Sequence, residues 1–149
     1  MATYRRNVAL ILSRAGGEIL VCERSGFPNS WQFPQGGAKK GESDIEALHR
    51  EVREEISLPP ESYRIVVQHG PYRYTFRPGF KKEGFDGQEQ TYFLAEILEA
   101  AESAVAVDRK EFQTCQWIFP HAFKIEWVPQ IKRDTYRAVF RDFFDISLP

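Results

Sequence analysis

Two runs near the amino terminus, Val8-Ala9-Leu10-Ile11-Leu12 and Ile19-Leu20-Val21-Cys22, are apolar at every position. A strand with one wet face alternates, so unbroken runs of this length predict strands buried on both faces. Ala15-Gly16-Gly17-Glu18 between them predicts a hairpin turn. The period changes after residue 43. Ile45, Leu48, Val52 and Ile56 recur at helical spacing. Ser43-Asp44-Ile45-Glu46 fits a capping box, and Leu58-Pro59-Pro60 supplies a stop, so a helix is predicted over 43–57. Further strands are predicted over 64–68, 72–76, 90–98 and 114–118. The loop 25–30 leads into a short Trp31-Gln32-Phe33 segment, and the polar stretches 78–88 and 99–108 predict loops. A second amphipathic helix is predicted over 129–144, with Pro129 in its first turn and Tyr136, Val139, Phe140 and Phe143 on one face. This order predicts an α/β domain, a mixed sheet between helices, occupying residues 1–149 as one unit.

Within the first helix, Glu51, Glu54 and Glu55 stand at i, i+3 and i+4 and share a face. At roughly 100° per residue that face borders the apolar stripe, and Glu55 lies nearest to it. Like charges crowded there lose solvation and repel, which calls for compensation. A Mg²⁺ or Mn²⁺ ion supplies it, because hard cations bind carboxylate and phosphate oxygen together. A helix with several glutamates is ordinarily a solvated face. The preceding Trp31-Gln32-Phe33-Pro34-Gln35-Gly36-Gly37 shifts that balance. Its aromatic residues anchor the segment, and its two glycines allow close backbone approach to a ligand or a left-handed turn.

Composition narrows the classes. Apolar residues make up 42% and charged residues 28% of 149, the balance of an ordinary globular chain. No apolar run approaches the ~20 residues that span a bilayer, and the first residues show no signal-peptide pattern. Cys22 and Cys115, far apart in sequence, are expected as buried thiols in a reducing cytoplasm. A net charge of −1 argues against general coating of nucleic acid. The small basic spots at Arg5-Arg6, Lys39-Lys40, Lys81-Lys82 and Lys132-Arg133 suit a phosphate-rich chain end better than a long duplex.

Gly36, Glu42, Arg50, Glu51, Glu54 and Glu55 together resemble the Nudix box: glycine, five residues, Glu, seven residues, then Arg-Glu-x-x-Glu-Glu. Ser57 stands where that pattern has a glycine, a position that serves helix termination. The resemblance implies a Nudix-type α/β/α sandwich. The blocks Tyr4-Arg5-Arg6-Asn7-Val8, Ser30 to Gly37, Gly87 to Leu94, Glu111-Phe112 and Lys132 to Arg137 are similar to those of bacterial RNA pyrophosphohydrolases. Dinucleoside polyphosphate hydrolases share several of them. The resemblance departs most over 119–128 and in the length of the 24–30 loop.

The activity implied is Mg²⁺-dependent hydrolysis of a phosphoanhydride, with two or more ions and Mn²⁺ as the substitute. The substrate implied is the 5′-triphosphate end of RNA. Hydrolysis of dinucleoside polyphosphates or (d)NTPs is the other enzymatic reading, and a non-catalytic nucleotide-binding module is the reading from another class. Glu51, Glu55 and Glu54, with the Gly37 carbonyl, are the implied metal ligands. Glu54 and Glu111 compete as general base. Arg50 either orients the glutamates or makes an i,i+4 surface pair with Glu46 or Glu54. Arg5, Arg24 and Lys132 match positions expected to touch the phosphates or first nucleotide. Lys132 and Arg133 fall in the first turn of a helix, where the dipole disfavours cations unless an anion binds. Tyr74 and Ile131 are candidates for contact with a base or for core packing. Whether two copies form a homodimer stays open.

Overall fold

The computed structural model describes residues 1–149. The two apolar runs form β1 (Tyr4–Ser13) and β2 (Ile19–Arg24). In the turn between them Gly16 and Gly17 take φ of +98° and +96°, a left-handed conformation that a side chain would strain. Then follow β3 (Trp31–Gln32), β4 (Gln35–Gly37), α1 (Asp44–Ile56), β5 (Tyr63–Thr75), β6 (Gly87–Ile97), β7 (Phe112–Ile118) and α2 (Gln130–Phe144). All seven strands share one sheet, with a central order β3-β2-β1-β6-β5. β4 adds to β1, and β7 adds to β2. β1 and β6 run parallel from Tyr4↔Gly87 to Ser13↔Glu96, while the other pairings are antiparallel, so the sheet is mixed as expected.

Alternation along β1 explains its unbroken apolar run. Val8, Leu10 and Leu12 pack with Leu48, Val52 and Ile56 of α1. Ala9 and Ile11 face the other way, onto Tyr136, Val139 and Phe140 of α2. Helices cover both faces, so no position in the run faces water. On the α2 side Phe33 stacks on Tyr136 and Phe123, with ring centroids 5.6 and 6.0 Å away. That stacking fixes the segment leading into Gly36 and Gly37. No helix is long and apolar enough to cross a membrane.

Several expectations need correction. The two strands expected over 64–68 and 72–76 are one, β5, which ends at Thr75 and whose register against β6 shifts between Ile65 and Val67 and again between His69 and Tyr72. An extra residue at a bulge reverses the inward phase, which made one strand read as two. Ile45 is 39% exposed, and Ala47 is buried in its place. Ala47 lies on the glutamate side of Leu48, so the packed face is rotated toward Glu51 and Glu55. The 99–108 loop contains a 3₁₀ helix, Glu99–Ala104. Cys22 and Cys115 are free thiols set directly opposite each other on β2 and β7. Cys22 is buried as expected, but Cys115 is only partly so.

Candidate active site

The capping box at the start of α1 forms as the sequence predicts: Glu46 N donates to Ser43 Oγ at 3.1 Å and Ser43 N to Glu46 Oε1 at 2.9 Å. At the other end Ser57 closes the helix with φ +66°, the conformation glycine would take more readily, and its hydroxyl donates to the Ala106 carbonyl at 2.8 Å. Between these caps the helix turns its glutamates toward β4. Gly36 and Gly37 are extended, not left-handed, so close approach is their role. A Cβ on Gly36 would overlap the Glu51 carboxylate, and one on Gly37 the Arg5 guanidinium.

Glu55 is 5% exposed and accepts from Gln35 N at 2.9 Å. Burial, then repulsion from Glu51 and Glu111, pushes its carboxyl up to about 9. Burial also raises Glu51, against the pull of Arg50. Glu54 is different: its side chain is 55% exposed, and its one ion pair, to Arg50, is long at 3.4 Å. Arg50 binds both oxygens of Glu42 at 2.8 and 2.9 Å, Glu51 at 2.8 Å and the Gly37 carbonyl at 2.9 Å. It does not pair with Glu46, which the capping box engages. Glu42, clamped by Arg50 and the Lys39 amide, is held down to about 2.

A cavity of about 470 Å³ opens beside this helix face. Glu51, Glu55 and Glu111 line it from one side, and Arg5, Arg24, Lys82 and Lys132 supply the opposing charge. Lys132 points inward, its Nζ 5.9 Å from the Tyr74 ring centroid. Burial, then Arg24 and Lys82, lowers its ammonium to about 8. Arg5 pairs with Glu83 at 2.9 Å, and Arg24 covers the Phe27 ring at 4.1 Å. Tyr74 and Ile131 also line the cavity; Tyr74 is buried, Ile131 exposed. Arg133 is not brought to the cavity. Its Nε donates to the Val128 carbonyl at 3.1 Å, since one helical step rotates it away from Lys132. Glu54 is likewise outside the lining.

Beneath the cavity runs a ladder of buried amides that sequence reasoning did not single out. Gln90 donates to Asn7 at 2.9 Å and to Gln35 at 2.5 Å; Asn7 donates to Gln88 at 3.0 Å, and Gln88 to Tyr74 Oη at 2.6 Å. Asn7, Gln35 and Gln88 line the cavity. The available signal was amides at inward strand positions, where buried polar groups need partners. Lys82 was legible only as part of a basic spot.

The donor set fits a hydrated divalent cation. Glu55 is a buried acid with no ion-pair partner, and the half-buried Glu51 shares its one partner, Arg50, with Glu42. Gln32, also in the lining, has a buried Oε1 with no hydrogen-bond partner. No group of three or more His, Cys, Asp or Glu converges into a closed cage. Mg²⁺ needs no such cage; it keeps several waters and takes one or two carboxylates plus substrate phosphates. The Gly37 carbonyl accepts from Arg50 and keeps a second lone pair for a cation.

Residues 3–139 match the NUDIX domain. The chain belongs to the Nudix family. It is 40% identical to the RNA pyrophosphohydrolase of Hahella chejuensis over 150 residues, 94% of this chain and 90% of that one. It is 34% identical to the RNA pyrophosphohydrolase of Shewanella piezotolerans over 154 residues, covering 98% and 87%. Solved structures show the same Nudix fold. The Escherichia coli dihydroneopterin triphosphate pyrophosphohydrolase superposes with a TM-score of 0.69 at 16% identity, over 95% of this chain and 97% of that one. A Caenorhabditis elegans Ap4A hydrolase complex gives 0.64 at 21%, over 93% and 99%. The chain is therefore a Nudix hydrolase of acid anhydrides, a family that typically uses divalent metal ions.

Proposed function

We propose that this Nudix hydrolase, read as a single domain over 1–149, removes pyrophosphate from the 5′-triphosphate end of RNA and leaves a 5′-monophosphate. The observation behind this reading is the cavity itself: the buried Glu55 and half-buried Glu51 carboxylates share it with four cations, with Tyr74 and Ile131 beside them. The near-full-length similarity to two RNA pyrophosphohydrolases supports the choice of substrate.

Glu51 and Glu55 would hold Mg²⁺, which supplies charge neutralisation and a polarised water when bound. Arg5, Arg24 and Lys132 bind the polyphosphate, displacing Glu83 from Arg5. Water adds to phosphorus, the bridging P–O bond breaks, and pyrophosphate departs with that oxygen. Glu111, on the cavity wall, is better placed than Glu54 to take the proton from that water. Arg50 positions Glu51 and the Gly37 strand through charge-assisted hydrogen bonds.

The test uses RNA carrying labelled 5′ phosphates, with diadenosine tetraphosphate and (d)NTPs in parallel at matched Mg²⁺. Labelled pyrophosphate and 5′-monophosphate RNA are expected, with turnover abolished by EDTA and restored by Mg²⁺. Cleavage confined to free nucleotides or dinucleoside polyphosphates would overturn the reading.

A further inference from the structure

A second cavity, of about 660 Å³, adjoins the first at Arg5 and Glu51. Arg5, Gly37 and Glu51 line both, so they form the boundary between the two. Five cations border the second one, Arg5, Arg6, Lys39, Lys40 and Arg50, against the carboxylates of Glu51 and Glu83. Three of the five are neutralised within the fold. Arg5 meets Glu83, Arg6 meets Asp44 at 2.8 Å, and Arg50 meets Glu42 and Glu51. Lys39 and Lys40 are exposed and have no ion-pair partner.

Exposed lysines are usually solvated and nothing more. These two stand on the wall of a cavity that begins at Glu51, a half-buried carboxylate proposed to hold metal. Tyr4 and Phe85 line the second cavity, but Tyr74, Phe76, Phe80 and Ile131 give the larger group of side chains for a nucleoside to the first. A polyphosphate anchored there and crossing the boundary at Arg5 and Glu51 delivers its distal end into the second.

We propose that this second cavity is the subsite for the phosphates beyond the scissile anhydride, with Lys39 and Lys40 as their binding side chains. It rests on the phosphoanhydride reading above. Cleavage leaves pyrophosphate on this side of the boundary, and the two lysines retain it until it exits past them to solvent. Product inhibition by pyrophosphate is the consequence.

The test measures the inhibition constant of added inorganic pyrophosphate against hydrolysis of triphosphate RNA, and pyrophosphate binding by calorimetry, both at fixed Mg²⁺. The comparison set is wild type, Lys39→Ala/Lys40→Ala, Lys39→Arg/Lys40→Arg and Lys124→Ala, which removes an exposed cation lining neither cavity. The alanine pair is expected to weaken pyrophosphate about fivefold, the sum of two exposed charge contacts, with the arginine pair close to wild type. Equal inhibition and equal binding in the wild type and the alanine pair, or an equal loss in Lys124→Ala, would overturn the subsite. If the wild type hydrolyses no triphosphate RNA, the proposed function fails. Calorimetry still decides the subsite, since weaker pyrophosphate binding in the alanine pair upholds it and unchanged binding sinks it.

Discussion

Lys132 and Glu55 are opposite charges that the fold makes uncomfortable in the same cavity. For Glu55 the expected outcome of Glu55→Gln is a fall in kcat of more than about a hundredfold, since even partners one step removed from a metal cost 10–100-fold. The amide keeps an acceptor for Gln35 N, so the circular dichroism spectrum should stay native; near wild-type turnover would remove Glu55 from the metal site. Lys132 makes a pH prediction. Its ammonium falls from 10.5 to about 8 on folding, so the folded chain binds fewer protons than the unfolded one between those values. Its contribution to stability is therefore greatest above about pH 10.5, declines as pH falls, and is lowest below about 8. Lys132→Met should raise Tm at pH 7 and lower kcat/KM. In the wild type kcat/KM should fall as pH rises through about 8, where the free enzyme loses the phosphate-binding charge, and Lys132→Met should lose that limb. A profile unchanged by the substitution would show that Lys132 does not meet substrate.

At the scale of elements, α1 is set by its two ends. Ser57 closes it in a left-handed conformation that costs a side-chain-bearing residue about 1–2 kcal/mol. Its hydroxyl bond to Ala106 returns part of that. Ser57→Ala should keep the strain and lose the bond, lowering stability in urea denaturation by about 0.5–1.5 kcal/mol. Ser57→Gly should rank above Ser57→Ala; the reverse order would mean that the left-handed turn is not strained. This helix was the most legible part of the chain, because caps, stripe and stop are all local signals. Glu55 was legible for the same reason, from its angle to Leu48. Arg50 was half legible: its i,i+4 neighbours are visible in sequence, but Glu42 and Gly37 are reached only after the loop folds back. The amide ladder was hidden because Asn7 meets Gln88 through a register set 81 residues away. Arg133 shows the converse limit: its place in α2 was readable, but the Val128 carbonyl that claims it was not.

For the whole molecule, the cavity is lined from both helical layers of the sandwich: Glu51 and Glu55 come from α1, Lys132 from α2, and Arg5 from the sheet between them. A cation bound by the α1 carboxylates stabilises the folded chain by mass action. Added Mg²⁺ should raise Tm in a thermal scan, and Glu55→Gln should blunt the rise; an equal rise in both would place the ion elsewhere. The parallel pairing of β1 with β6 has a kinetic consequence. Arg5 and Gln88 are neighbours in space although 83 residues apart in the chain. As the chain is synthesised, β1 emerges first, yet its long partner follows only after β2, α1 and β5. Until then the five-residue apolar run of β1 lacks its main neighbour. Non-local closure of this kind slows folding and leaves sticky surface open meanwhile. Chains released before residue 97 should therefore aggregate, not fold into smaller stable pieces.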